Sequence, residues 1–323
     1  MSSSDTVHIY RTSPKSLSED IGKILATSDF RRLDPQRPTL IKINANYDRE
    51  WPGCNTSKWF LDALLENLRN VGFSDLTVIE GDLKLQPAAK TMKDLGIDRL
   101  LANHGVRFVP IEKMPRENEI PLILRNKQLI STPVLHTHTF AVMSVATKNL
   151  FGLLPVYREK YHNNLSLKLI DLARQLEVFT IVDGTVGLHG GSMRMGTPLR
   201  TNLLMSGRNP LAVDAIAARV MGFNIDDVPV LRTAKEMGVL KNPEVAGDFT
   251  NQSLPENQFL FERSILSELD LWLRANRITG EWFAYNSLLD KLGNRVRRSY
   301  TRFVYWRKWK RVAVGDWRDY ELP

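Results

Sequence analysis

Short apolar runs alternate with segments of helical periodicity along most of the chain. This alternation predicts an α/β fold with a mainly parallel central sheet and helices on both faces, because parallel strands are joined through crossover helices. Buried strands are predicted at residues 8–10, 39–43, 76–80, 107–111, 129–135, 179–182 and 201–205. Helices are predicted at residues 16–33, 58–71, 88–103, 166–176, 210–220 and 228–237.

Two of these helices carry signals at their ends as well as along their length. Thr56 or Ser57 can cap the second predicted helix, and Gly72 suits its end. Asn209 and Pro210 suit the start of the fifth, since asparagine caps helices and proline fits the first turn.

The length of 323 residues is enough for a sizeable core, and it allows two domains or one large unit with an appendage. We predict an α/β core over residues 1–250, which can be divided into lobes at roughly 1–128 and 129–250. The strand signal fades towards the end of this core. Residues 251–323 are predicted to form a helical, basic and aromatic C-terminal extension.

Composition is typical of a soluble globular protein in a reducing compartment. Hydrophobic residues make up 43% of the chain and charged residues 25%, and no apolar run is long enough to span a bilayer. The N-terminal sequence lacks the apolar segment of a secretory signal, so the expected location is cytoplasmic. Cys54 is the only cysteine, which excludes a disulfide framework, a multi-cysteine zinc site or a cysteine-ligated iron–sulfur cluster within this chain.

The net charge of +8 is concentrated near the C-terminus. Residues 295–311 contain eight basic residues interleaved with aromatic ones and no acidic residue, so the rest of the chain is close to neutral. Such a segment can pack on the core or on another subunit, dock on an anionic membrane surface, or stack on single-stranded nucleic acid. Nucleic acid is the least favoured partner, because the neutral body offers no basic groove.

Polar side chains follow several predicted strands at the point where each strand ends. Asn44, Asp82 and Asp183 follow three strands, and His136 and His138 follow a fourth. In doubly wound sheets, ligands bind beyond the carboxyl ends of the strands. We therefore expect these side chains to line one rim of the sheet, although any one of them can equally be an ordinary polar loop residue.

His136 and His138 are the main candidates for acid–base chemistry. Residues two apart in an extended chain point to the same side, so both imidazoles can face one cavity. An imidazole can transfer protons near neutral pH or bind a divalent metal. The alternative is that both rings simply cap the strand end through bonds to the backbone.

Lys148 and Asn149 lie in an otherwise apolar stretch, where they are candidates for binding a substrate anion or a cofactor. Desolvation would lower the pKa of Lys148 and make it a nucleophile, whereas an anionic partner would keep it charged. We favour the anionic partner. Lys148 therefore joins His136 and His138 in the predicted catalytic set.

Two further features can complete the site. Gly190 and Gly191 lie in a glycine-rich connection that can cradle an oxyanion with its backbone amides or form a plain flexible turn. Asp183 and Asp214 can bind a cation together or divide acid and base roles, and Asp214 can equally have a structural role in its helix. With the histidines, the two carboxylates form a predicted divalent-metal site.

Five segments follow one another between residues 39 and 238: LIKIN, VIEGD, STPVLHTHTFAVMSVATKNLFGLLP, FTIVDG and NPLAVDAIAARVMGF. Their order resembles the family catalogued as domain of unknown function 362, which has no agreed activity. Some members of that family carry iron–sulfur motifs, which this chain lacks the cysteines to reproduce. The family often has Lys-Pro-Asn where this chain has Lys42, Ile43 and Asn44.

The spacing of His138, Lys148 and His162 is similar to that of the nickel-pincer lactate racemase family. This resemblance implies proton or hydride transfer by His138, anchorage of the pincer cofactor by Lys148 and metal ligation by His162. Glycines that the family has between the first histidine and the lysine are replaced here, and its second catalytic histidine has no clear match. A common fold ancestor therefore explains the likeness better than shared chemistry.

These features predict an enzyme that acts on a small anionic, oxygen-rich metabolite, with a divalent metal as the candidate cofactor. The alternative is a non-catalytic binding or scaffold protein that uses residues 295–311 to contact an anionic membrane surface or a protein partner. Cosedimentation with anionic vesicles distinguishes them, because removal of the residues after Arg295 should abolish binding only if the tail is the contact surface.

Overall fold

The computed structural model describes residues 5–83, 86–190, 196–255, 257, 259–261, 319 and 320. Its strands are β1 (Thr6–Arg11), β2 (Thr39–Ile43), β3 (Leu76–Glu80), β4 (Arg107–Pro110), β5 (Arg116–Glu117), β6 (Ile120–Pro121), β7 (Gln128–Thr132), β8 (Val134–His138), β9 (Val142–Ser144), β10 (Phe179–His189), β11 (Thr197–Gly207) and β12 (Glu244–Gly247). Its helices are α1 (Leu17–Leu25), α2 (Lys58–Asn70), α3 (Ala88–Asp94), α4 (Ile97–Asn103), α5 (Ala146–Leu150), α6 (Leu165–Gln175), α7 (Pro210–Val220) and α8 (Pro229–Glu236). A 3₁₀ segment at Val156–Asn164 precedes α6.

Most of these strands form one large mixed sheet. Its order is β12-β1-β11-β10-β7-β2-β3-β4, with β8 beside β10 and β9. Strands β2, β3, β4, β7 and β10 run parallel, whereas β11 runs antiparallel between β1 and β10. The predicted α/β class with a large, mostly parallel sheet is confirmed, and its finer description is corrected to a mixed sheet.

Strand β1 occupies a position that a simple strand–helix–strand succession does not predict. It lies between β11 and β12, away from β2, and pairs in parallel with β12 from Thr6 opposite Glu244 to Ile9 opposite Gly247. Strand β12 was hidden from sequence reasoning because it is short and partly exposed. Strands from both predicted lobes interleave in this one sheet.

The two strands on either side of the glycine-rich connection extend into it. Strands β10 and β11 form a long antiparallel hairpin in which Gly187 pairs with Leu199 and His189 pairs with Thr197. A Cβ atom at Gly187 would lie 2.5 Å from the Phe259 ring, which explains a glycine inside a strand. The strands predicted at residues 179–182 and 201–205 are therefore corrected to the longer strands β10 and β11.

Two predicted elements are each divided in two. The strand predicted at residues 129–135 is β7 followed by β8, because Pro133 lacks the N–H group that a continuous ladder needs. The helix predicted at residues 88–103 is α3 followed by α4. Gly96 separates them with a φ of 68°, a left-handed conformation that ends a helix.

Helices cover both faces of the sheet, as predicted. Helices α1, α2 and α4 pack with Ile41 and Val78 on one face. Helices α5, α6, α7 and α8 pack with Leu40 and Ile79 on the other. Successive strand side chains point to opposite faces, and full burial of each aliphatic side chain contributes roughly 1.5–3 kcal/mol.

The last described residues pack against this core. Tyr320 is buried, stacks on Trp59 with ring centroids 5.8 Å apart and donates its hydroxyl to Asn202 Oδ1 at 2.8 Å. The guanidinium of Arg200 lies 5.3 Å from the centroid of the same ring and pairs with Asp319 at 3.3 Å. Residues 319 and 320 are therefore fixed to α2 and β11.

Replacement of Tyr320 by alanine should lower the free energy of unfolding by about 2–3 kcal/mol, because a buried ring and its hydrogen bond are lost. Urea denaturation followed by circular dichroism measures the change. Tyr157 is 59% exposed, so Tyr157→Ala is the matched control and should change stability by no more than about 0.5 kcal/mol. Equal effects of the two substitutions would show that Tyr320 contributes no packing energy.

The predicted basic extension lies almost wholly outside the described residues. This part includes residues 295–311, so the proposed roles of that segment in membrane, protein or nucleic acid contact stay predictions. In the described part of the chain, no helix is both long and apolar enough to cross a membrane.

Candidate functional site

A buried ion pair lies at the carboxyl ends of β2 and β3. The Lys42 ammonium lies 2.6 Å from Glu80 Oε1, and both side chains are almost fully buried. Lys42 Nζ also donates to the Ile43 carbonyl at 2.7 Å. Burial lowers the pKa of Lys42, and the Glu80 carboxylate opposes that shift. The attraction between the two charges therefore offsets part of the free energy that both groups lose when they are removed from water.

The backbone closes tightly around this pair. Ala45 N donates to Glu80 Oε2 at 2.9 Å, and Gly81 N donates to Oε1 at 2.8 Å. A Cβ atom at Gly152 would lie 2.9 Å from Lys42 Nζ, and one at Gly81 would lie 2.3 Å from the Gly152 carbonyl oxygen. The turn that contains Gly152 thus covers the ion pair at a distance that only glycine permits.

Lys148 lies near this pair on the short helix α5. Its side chain keeps some accessible surface, whereas Lys42 has almost none. In the part of the chain that the structure describes, the Lys148 ammonium contacts the Phe151 ring, 4.3 Å from its centroid, rather than a carboxylate. Burial, with the cations Arg158 and Lys42, lowers the pKa of Lys148 to about 7. At neutral pH this lysine is therefore a mixture of ammonium and free amine.

Arg158 supplies a third cation to the same region. Its buried guanidinium donates to the Asp82 carbonyl at 3.0 Å, which holds the 3₁₀ segment against the loop after β3. A guanidinium stays charged, and this charge lowers the pKa of both Lys42 and Lys148. We call Lys42, Lys148 and Arg158 the cation cluster. Glu80 forms an ion pair with one member of this cluster, Lys42.

Asn149 fixes helix α5 to the sheet. Its carboxamide nitrogen donates to the Lys42 carbonyl at 3.2 Å and to Ser131 Oγ at 2.9 Å. These bonds hold the segment that carries Lys148 beside β2 and β7. Contact between Asn149 and a cofactor stays a prediction.

His136 is buried on β8, close enough to Lys148 for the lysine charge to act on its pKa. Burial is the largest cause that lowers the pKa of His136 to about 4, so the ring is neutral at pH 7. Its Nδ1 lies 3.2 Å from the Thr137 carbonyl, which can only accept a hydrogen bond. Nδ1 therefore carries the proton, and Nε2 is an acceptor.

His138 has the opposite tautomer. The backbone amides of Phe140 and Ala141 donate to its Nδ1 at 3.1 and 3.3 Å. Because Nδ1 accepts, the ring proton lies on Nε2. The two histidines, predicted to follow a strand, therefore lie on β8 itself and have opposite tautomers.

Asp214 caps a helix other than its own. From α7 its Oδ1 accepts from Ala146 N at 2.6 Å, and its Oδ2 accepts from Thr147 N at 3.1 Å and from the Thr147 hydroxyl. Burial raises the pKa of Asp214 to about 6, and these hydrogen bonds oppose the shift. Asp214 thus positions Lys148 through the N-terminus of α5.

Asp183 binds the start of α2 in a similar way. Its Oδ2 accepts from Ser57 N at 2.9 Å and from Ser57 Oγ at 2.5 Å. Its Oδ1 accepts from Thr185 N at 3.2 Å and from Thr185 Oγ1 at 2.7 Å. Burial raises the pKa of Asp183, and the bonds to Ser57 and Thr185 oppose this. Both carboxylate oxygens are thus engaged: Oδ2 joins the start of α2 to β10, and Oδ1 bonds to Thr185 within β10 itself.

The predicted metal ligands do not meet in one cluster within the described residues. No three histidine, cysteine, aspartate or glutamate side chains among those residues converge as metal ligands. Asp183 and Asp214 cap different helices. His162 lies in the 3₁₀ segment, but its side chain is outside the described part of the structure. The metal role of these residues and of His136 and His138 stays a prediction.

Of the two glycines predicted to cradle an oxyanion, only Gly190 lies among the described residues. Gly190 N donates to the Leu260 carbonyl at 2.8 Å, so this amide is already engaged. Gly191 lies outside the described residues. Anion binding by this connection therefore stays a prediction.

Two other residues expected at the rim hold loops in place. Asn44 Nδ2 donates to the Cys54 carbonyl at 3.1 Å, within the loop that follows β2. Asp82 Oδ1 accepts from Ala88 N at 2.8 Å, at the start of α3. Both contacts are structural.

Sequence reasoning missed three of the charged residues in this region. Lys42 and Glu80 did leave a signal, because each is a charged residue at the carboxyl end of an otherwise apolar strand. Adjacent parallel strands place such residues side by side. Arg158 left none, since it lies in the polar stretch VYREKYHNN.

A family model described as Domain of unknown function (DUF362) matches residues 39–219. The matched stretch contains the whole cation cluster, both histidines of β8 and both capping aspartates. No curated protein and no solved structure matches the chain. The likeness to nickel-pincer lactate racemases stays a prediction.

Proposed function

The chain belongs to the family described as Domain of unknown function (DUF362), as its sequence predicted, and we propose that it is an enzyme acting on a small, oxygen-rich anionic metabolite. Lys148 holds the anionic group of that metabolite. His136 and His138 are the acid–base groups, and Asp214 and Asn149 keep Lys148 in position.

The cation cluster is the observation that supports this proposal. Arg158 lowers the pKa of both lysines, Lys42 lowers the pKa of Lys148, and Glu80 forms an ion pair with Lys42. A charge removed from water without a partner costs several kcal/mol, so an anion beside Lys148 relieves a cost that the protein otherwise carries alone. Lys148 is the member a ligand meets first, because Lys42 and Arg158 are more deeply buried.

The two histidines supply complementary proton-transfer groups. His136 is neutral and offers an acceptor at Nε2, whereas His138 offers a donor at Nε2. A positioned acid or base contributes typically about 10²–10⁴-fold to a rate. The reaction class we propose is therefore proton transfer to and from a metabolite whose anionic group lies on Lys148.

Replacement of Lys148 by methionine should weaken sulfate binding tenfold or more, because a hydrogen bond to a charged group contributes about 1.5–3 kcal/mol. Sulfate is the probe because its charge is constant across neutral pH. Isothermal titration calorimetry measures the dissociation constants. Wild-type affinity should also fall from about pH 6 to about pH 9, since the Lys148 ammonium, with a pKa of about 7, loses its charge over this interval.

Lys90→Met is the charge-matched control. Lys90 is exposed and pairs with Asp94, so its replacement lowers the total charge equally without touching the cation cluster. Its sulfate affinity should equal that of the wild type. If both variants bind sulfate as the wild type does, Lys148 does not hold the anion.

A further inference from the structure

We propose that a groove at the C-terminal end of α7 is a second ligand site, which binds a small phosphate monoester with an apolar body. The groove has a volume of about 340 Å³ and is bounded by Arg219 on α7, Phe223, Lys235 on α8 and Lys241. We call it the α7 groove. Small-molecule sites usually have volumes of roughly 300–1,000 Å³, so this groove fits a ligand of metabolite size.

The α7 groove is separate from the site around Lys148. Its described lining residues include no member of the cation cluster and neither histidine of β8. Most of them follow Arg219, the last residue that the family model matches. The inference therefore goes beyond the proposed function and does not depend on it.

The charges that line the groove are mainly positive. Lys235 Nζ pairs with Asp226 through Oδ1 at 2.8 Å and Oδ2 at 3.0 Å. In the part of the chain that the structure describes, no carboxylate pairs with Arg219 or Lys241. Arg219 Nη2 donates instead to the neutral Asn251 carbonyl at 2.6 Å. Two positive charges therefore remain for a ligand, which suits a phosphate monoester with its charge of about −2 above pH 7.

Apolar side chains line the rest of the groove. Ala215 lies one helical turn before Arg219 on the same face of α7. Phe223, Ile225 and Leu240 are partly buried and supply apolar surface. An apolar body on the ligand covers this surface, and an aromatic body suits the Phe223 ring. An inorganic anion interacts with the charges alone.

Hydrogen bonds hold the sides of the groove in place. The Asn251 carbonyl accepts from Arg219, and Asn251 Nδ2 donates to the Pro243 carbonyl at 3.2 Å, which joins α7 to the loop before β12. Asn224 Oδ1 accepts from Asp226 N at 3.0 Å and fixes the turn after α7. Groups that are held before binding lose less conformational freedom when a ligand arrives.

The same charges argue against the basic segment of this chain as the occupant. Residues 295–311 contain eight basic residues and no acidic one, so the cations of the groove repel them. A membrane lipid could present the same phosphate group as a free metabolite. We assign the groove to the free small molecule, because a concave site of this volume encloses a compact ligand.

Isothermal titration calorimetry with phenyl phosphate at pH 8 tests the inference. The full chain carries Lys148→Met, so that the anion site proposed at Lys148 does not contribute. In this background, Arg219→Met should weaken binding about tenfold, because a charge-assisted hydrogen bond is lost. Lys241→Met should weaken it about threefold, since an exposed charge contributes less. Lys90→Met is the charge-matched control outside the groove and should have no effect.

Inorganic phosphate should bind at least about tenfold more weakly than phenyl phosphate, because it covers no apolar surface. Equal affinities for the two anions would overturn the inference, as would equal affinities of the Arg219→Met and Lys90→Met variants. Absence of phenyl phosphate binding in the Lys148→Met chain also overturns it and leaves the proposed function intact. Cosedimentation with phosphatidic acid vesicles that depends on Arg219 would assign the groove to a membrane surface instead. Circular dichroism verifies that each variant is folded.

Discussion

Replacement of Glu80 by glutamine should lower the free energy of unfolding by about 3–5 kcal/mol, because removal of one partner leaves the Lys42 charge buried and unpaired. The glutamine also loses hydrogen bonds. Ala45 N and Gly81 N donate to the two carboxylate oxygens, and a carboxamide presents an NH₂ group to one of these donors. Urea denaturation at pH 7 measures the loss.

The double variant Lys42→Met/Glu80→Gln is the internal control for this effect. Methionine removes the uncompensated charge, so it should recover part of the stability lost in Glu80→Gln. Glu50 and Lys58 form an exposed ion pair, and Glu50→Gln should change stability by less than about 1 kcal/mol. A Glu80→Gln variant as stable as Glu50→Gln would mean that the Lys42–Glu80 pair is not held in a dry environment.

Replacement of Asp214 by alanine should lower the free energy of unfolding by about 3–5 kcal/mol and also weaken sulfate binding. The variant leaves Ala146 N, Thr147 N and the Thr147 hydroxyl without their buried acceptor, and each such group costs about 1–3 kcal/mol. Sulfate binding should weaken because Lys148 lies on α5, the helix that Asp214 caps. Chemical denaturation measures stability, and calorimetry at a temperature where the variant is folded measures affinity.

Asn209→Ala is the matched control, because Asn209 caps α7 but lies outside the cation cluster. Loss of this cap should cost about 0.5–2 kcal/mol and leave the sulfate dissociation constant unchanged. An Asp214→Ala variant that is destabilised but binds sulfate normally would restrict Asp214 to a structural role. It would also show that Asn149 alone suffices to position Lys148.

The site was partly predictable from the sequence. The polar residues that follow the predicted strands indicated a rim at the carboxyl ends of the sheet. Lys148 was a candidate because its neighbours in the sequence are apolar. The Lys148 charge contributes to the lowered pKa of His136, after burial of the ring as the main cause. The partners of Asp183 and Asp214 were not predictable, because Ser57 and Thr147 lie far from these carboxylates in sequence. A side chain near a strand end can face a ligand or cap a helix, and only the packed arrangement decides which.

What the sequence determined by itself is the set of local elements. Periodicity and capping residues depend on near neighbours in the chain, so β2 and β3 have the bounds that the apolar pattern predicts. Tertiary structure decided the order of the strands, the position of β1 beside β11 and the addition of β12. It also decided the Lys42–Glu80 pair, since the desolvation that makes this pair obligatory arises only when both sheet faces are covered. Strand pairing and burial depend on contacts between segments that are far apart in the sequence, so a local sequence pattern does not predict them.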